Sequence, residues 1–146
     1  MTANLSLRTT LQSEWESVIR MREHVRHLVI STFALDPNTS PVFDDNLYNL
    51  PWLLAFDVLK QALLQATVDG QLTGSEPILD DLVEGTRTSL SWNDWQGLRE
   101  AVKRHNELAH QGKRFGDVQC LQDIADIEAQ LVAWGVIKAA KPSVVQ

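Results

Sequence analysis

A single cysteine, Cys120, stands in 146 residues. No internal disulfide can form, and a reducing, cytoplasmic setting is the simplest expectation. No run of about 18 apolar residues occurs, so neither a transmembrane helix nor any membrane partner is expected. Residues 1–30 lack a charged start followed by a continuous apolar stretch, so no signal peptide is expected. No segment alternates polar and apolar residues with β-branched enrichment, which argues against strands. Internal repeats, low-complexity tracts and inter-domain linkers are also missing. What remains is one domain of ordinary size, residues 1–137, with residues 138–146 as a loose tail. Hydrophobic residues make up 44% of the chain, which argues against disorder.

Positive charge is in deficit overall. The net charge of −6 is a poor match for a nucleic-acid binder taken as a whole. Its distribution is uneven. Residues 36–84 hold nine carboxylates and one base, Lys60. Residues 99–114 reverse this, with Arg99, Lys103, Arg104, Lys113 and Arg114 against Glu100 and Glu107. Arg20, Arg22 and Arg26 form a smaller basic centre. Such clusters are often solvated helix faces.

Helical periodicity is strong in four places. A first helix is expected over residues 5–33, with Leu7, Leu11, Trp15, Val18, Val25 and Val29 on one face. Asp36-Pro37-Asn38 ends it, and a polar loop follows to Asp45. A second begins near Pro51 and runs to Val68, with Trp52, Phe56, Leu59, Leu63 and Ala66 on one side. Leu53 and Leu64 lie on another, which makes this helix central, and Asp69-Gly70 stops it. A short helix follows Ser75-Glu76-Pro77 and reaches residue 85 or 87. A third long helix is expected over residues 91–110, opened by a Ser91-x-x-Asp94 capping box and closed by Gly112. The last spans residues 117–136, with Leu121, Ile124, Ile127, Leu131 and Val132 as its apolar set. The pattern predicts an all-α four-helix bundle with an additional short helix before the third long one.

Counting about 100° per residue from Arg99, the residues Lys103, Asn106 and His110 fall within about 40° of it. They form one polar stripe. Leu98, Val102 and Ala109 form the apolar face near −80°, with His105 on its far margin near −120°. Arg104 lies about 120° from His110, so the two do not share a face of one straight helix. Either the helix unwinds before His110, or two subunits each contribute one residue.

Arg104-His105-Asn106-Glu107-Leu108-Ala109-His110, followed by Gln111-Gly112, resembles the Arg-x(4–6)-His motif of the HEPN superfamily. The order of Ile78–Leu82, the turn before Trp92, Leu98-Arg99 and the motif with its glycine is also HEPN-like. The resemblance covers roughly residues 47–137, with a compatible first helix. Many members place asparagine directly after the arginine. Here His105 stands in the arginine's place and Arg104 one residue earlier, a spacing the family tolerates. The resemblance implies an RNA-directed protein, either a metal-independent endoribonuclease of a defence or toxin–antitoxin system or a non-catalytic module binding a nucleotide or protein. In the ribonuclease reading His110 transfers a proton, Arg104 binds phosphate and Asn106 orients either group. Arg99, Lys103, His105, Lys113 and Arg114 would contact substrate. A homodimer, an RNA or nucleotide ligand, an antitoxin-type partner and no cofactor are the corresponding expectations.

Blander roles stand beside these. His110 suits a helix C-terminus on electrostatic grounds alone. Arg104 can pair with Glu100 or Glu107 on its own helix. Arg22 falls within the apolar stripe of the first helix and calls for a structural ion pair. Glu107-x-x-His110 has the spacing of a di-iron bundle, and His24 with His27 that of a metal pair, so a metal-binding helical-bundle enzyme is a further alternative. No second Glu-x-x-His occurs, and no metal is expected. Cys120 reads as a packed residue, and the five tryptophans as core or interface.

Overall fold

The computed structural model describes residues 5–35, 46–68 and 78–139. They form α1 (Leu5–Leu35), a 3-10 turn (Asn46–Tyr48), α2 (Asn49–Val68), α3 (Leu79–Gly85), α4 (Trp95–Gln111) and α5 (Asp117–Ala133). No strand occurs among the described residues, so the all-α class is as expected. None of the helices is long and apolar enough to cross a membrane. The expected signals at Asp36-Pro37-Asn38, Asp69-Gly70, Ser75-Glu76-Pro77 and Pro142 lie outside the described residues.

The core grows from the apolar stripes. On α1, Leu11, Trp15, Val18 and Val25 are buried, with Leu7 and Val29 packed at the edge. On α2, Trp52, Phe56, Leu59 and Leu63 are buried, and Ala55, Val58 and Ala62 widen the buried arc. That width is why α2 packs against every other helix. Leu53 remains substantially exposed. On α5 the buried set is Cys120, Ile124, Ile127 and Leu131, while Leu121 and Val132 sit at the edge.

Polar ties fix the helices in register. The indole N–H of Trp15 donates to Glu128 of α5 at 2.6 Å. Asn49 donates to the Phe115 carbonyl at 2.9 Å and accepts from its N–H at 3.2 Å, which pins the α4–α5 connection to the start of α2.

Two helix starts differ from expectation. α3 begins at Leu79, because Ile78 has extended backbone (φ −82°, ψ 158°). α4 begins at Trp95 rather than Ser91. Asp94 itself is the cap, its carboxylate accepting the Gly97 N–H at 3.0 Å. The Ser91 carbonyl accepts from the Trp134 indole at 2.7 Å and from the Gln130 amide, so α5 holds this residue in the connecting segment. The end of α4 is as expected. Gly112 adopts the left-handed conformation (φ 66°), and its N–H returns to the Leu108 carbonyl. α5 stops at Ala133, earlier than expected, because Gly135 (φ 72°) directs Val136 N–H back to Leu131.

Candidate functional site

The motif lies in the last two turns of α4, where that helix meets α2 and α5. α4 stays helical through Gln111, so it does not unwind before His110. Arg104 and His110 keep the roughly 120° separation of a regular helix. In one chain the two groups do not converge.

Arg104 reaches across to α5. Its Nη2 donates to Asp123 Oδ1 at 2.7 Å and its Nε to Oδ2 at 3.2 Å. The pairing with Glu100 or Glu107 is therefore not made. Glu100 accepts from Gln96, and Glu107 pairs with Lys113 at 3.1 Å. The Asp123 side chain is 1% exposed, that of Arg104 25%. Trp52 Nε1 and Gln119 Nε2 add two more donors to Asp123, both at 2.9 Å. A buried carboxylate thus receives four hydrogen bonds, one of them from the central helix. This satisfies its charge and fixes the guanidinium plane.

His105 is half-buried and lies nearer the centre line of the core face than its expected angle. The buried positions of α4 are Leu98, Ala101 and Val102, with Leu108 packed behind them, whereas Ala109 is exposed. These positions centre near −120°, about 40° from the expected face, and His105 lies on that centre line. Its ring is 4.9 Å from that of Phe56 and 6.0 Å from that of Trp52. Nδ1 is buried without a hydrogen-bond partner. Burial lowers the imidazole's pKa from its ordinary 6.5; a hydrogen bond with Asn106 acts the other way, and His110 and Lys60 add to the lowering. His105 is therefore a neutral, packed ring at neutral pH.

The sign of its pH dependence follows. Below about 6.5 the unfolded chain takes up a proton that folded His105 resists. Its contribution to stability is complete above that pH and lost as pH falls through the lowered folded value. Urea melts of wild type at about pH 7.5 and pH 5 should differ more than those of His105→Phe, which cannot titrate. Equal differences in the two proteins would show that His105 does not carry this dependence.

The remaining site residues spread along α4 and its exit. Lys103, His110 and Arg114 are exposed, with no ion-pair partner among the described residues. Asn106 is half-buried, on the opposite flank of His105 from Arg104. Lys113 is held by Glu107 and lies 5.5 Å from the Phe115 ring centre. Arg99 is committed elsewhere, pairing with Glu84 of α3 at 2.8 Å. The structure therefore brings Arg104 and His105 to the junction with α2 and α5, sets Asn106 beside His105, and leaves Lys103, His110, Lys113 and Arg114 on the outer edge.

Four contributors escape a reading of the motif alone: Asp123, Trp52, Gln119 and Asn49. Asp123 has a local signal, because it falls between Cys120 and Ile127 on the buried side of α5. A carboxylate in an apolar stripe demands a cation.

Among the described residues no group of three or more His, Cys, Asp or Glu could hold a metal ion. His24 and His27 both face solvent. Half-buried Arg22 lies 3.7 Å from Glu23, its sequence neighbour. Cys120 is fully buried, and burial followed by the nearby Asp123 and Asp117 charges pushes its thiol up to about 12. It is a packing group with no thiolate at neutral pH. A groove of about 960 Å³ lies between α1 and residues 135–139 and takes no lining residue from α4. No protein-family model, curated protein or solved structure matches the chain.

Proposed function

We propose that this chain is an HEPN-like helical module that binds single-stranded RNA through the exposed edge of α4, without a metal. The observation that carries this reading is the Arg104–Asp123 pair. It engages both Nε and Nη2 of the guanidinium, the edge that would otherwise grip a phosphate. Lys103 and Arg114 meanwhile face solvent without an ion-pair partner among the described residues, and Lys113 is exposed beside Glu107, so this edge can follow a phosphate backbone. The net charge of −6 keeps the molecule as a whole from being a general polyanion sponge, so binding depends on this edge.

Binding should be measured by fluorescence anisotropy with a labelled twelve-nucleotide RNA across a salt series. Affinity should fall as salt rises, with a log–log slope of about 0.7 per phosphate contact. Replacing Lys103, Lys113 and Arg114 by alanine should weaken binding by about tenfold or more and lower the slope by about 2. Salt-insensitive binding, or binding that the triple variant leaves unchanged, would exclude this edge.

The same RNA incubated in EDTA decides between binding and cleavage. A cleaving protein would leave a 2′,3′-cyclic phosphate, and His110→Ala would abolish the reaction. That outcome would replace the binding module with a metal-independent endoribonuclease. Since Arg104 and His110 diverge on one helix, its site would need Arg104 of one copy, released from Asp123, beside His110 of a second.

A further inference from the structure

At the opposite end of α4 a second cationic feature stands outside the motif. Trp95 opens the helix, and its indole N–H donates to the Val83 carbonyl at 3.1 Å, which fixes the ring against α3. The Arg87 guanidinium lies 4.2 Å from the ring centre and that of Arg99 lies 5.4 Å from it. Glu84 pairs with Arg99, while exposed Arg87 has no carboxylate partner among the described residues. An arginine held over an indole is a flat cation already restrained in orientation. Its outer face can stack on a nucleobase, and its N–H groups can reach a phosphate.

This feature is in line with the polar stripe of α4. Arg99, Lys103 and His110 share one stripe within about 40°, and Trp95 precedes Arg99 by one turn. The track from Trp95 to Gln111 covers 17 residues, which is about 25 Å of helix axis. Of the carboxylates beside it, Glu84 and Glu107 are neutralised by Arg99 and Lys113. Glu100 accepts a hydrogen bond from Gln96.

We infer that one RNA strand runs the length of α4, from Lys113 and Arg114 to Arg87, with a base stacked on the Arg87–Trp95 pair. This rests on the RNA-binding reading above and adds a second contact region to it.

The test uses the full chain and the same twelve-nucleotide RNA, with Arg87→Ala, Arg87→Lys and a Lys113→Ala/Arg114→Ala double variant. Arg87→Ala should weaken binding about fivefold or more and lower the salt slope by about 0.7. Arg87→Lys should restore the slope but not the full affinity, because an ammonium keeps the charge and lacks the flat face. A merely structural Arg87 would leave the salt slope unchanged. If Arg87→Ala binds like wild type while the double variant is weakened, the extended track is wrong and the edge reading stands. Absence of RNA binding by wild type overturns both.

Discussion

Asp123→Ala should destabilise the protein by about 3 kcal/mol or more, read as a lower urea midpoint at constant slope. The carboxylate is 1% exposed and receives Arg104, Trp52 and Gln119. Its removal leaves a half-buried guanidinium without its counter-charge and strands the indole N–H of Trp52. Breaking one side of a buried pair typically costs about 3–5 kcal/mol, and partial exposure of Arg104 places this case near the lower bound. Replacing both partners, Arg104→Met with Asp123→Leu, should recover much of the loss, since no charge is then left alone. A single Asp123→Ala variant as stable as wild type would show that the pair does not hold α4 to α5.

Trp15→Ala should destabilise by a similar or larger amount, about 3–5 kcal/mol. The ring is fully buried, and its N–H is the polar tie from α1 to Glu128. Two losses combine: a large cavity and a carboxylate deprived of its donor. Trp15→Phe separates them, because it keeps much of the apolar volume and still removes the donor. Thermal melts of the three proteins should therefore rank wild type, Trp15→Phe and Trp15→Ala in falling order. A Trp15→Ala protein within about 1 kcal/mol of wild type would mean that α1 is not part of the common core. Such a loss is a large fraction of the roughly 5–15 kcal/mol that holds a domain together.

Helix positions were legible because apolar spacing is a local property. Leu11, Trp15, Val18 and Val25 announce α1 without knowledge of what covers them. Gly112 was legible for a similar reason, since a left-handed cap favours glycine whatever the surroundings. The start of α4 was not. Both Ser91 and Asp94 can cap, and the choice rests on Gln130 of α5 and Trp134 just beyond its end, which reach Ser91. The core face was drawn about 40° from its observed centre, which set His105 further out than it lies. A neutral imidazole packs against Phe56 much as an aromatic ring does, and Ala109 was too small to define a face. The partner of Arg104 was missed because glutamates on its own helix were nearer in sequence. The carboxylate it chose is 19 residues away and carries two further donors that neither glutamate has.

The bond from Trp15 to Glu128 joins residues 113 apart. A ribosome adding about 5–20 residues per second needs about 6–20 s to cover that distance. Throughout that interval α1 has only α2 and the helices already made to shelter its apolar stripe. Nascent chains stalled before α5 should therefore carry an open tryptophan-lined surface, the kind that chaperones recognise and that draws unfinished chains together. α1 and α2, which pack on each other early, both wait for α5 to complete their cover.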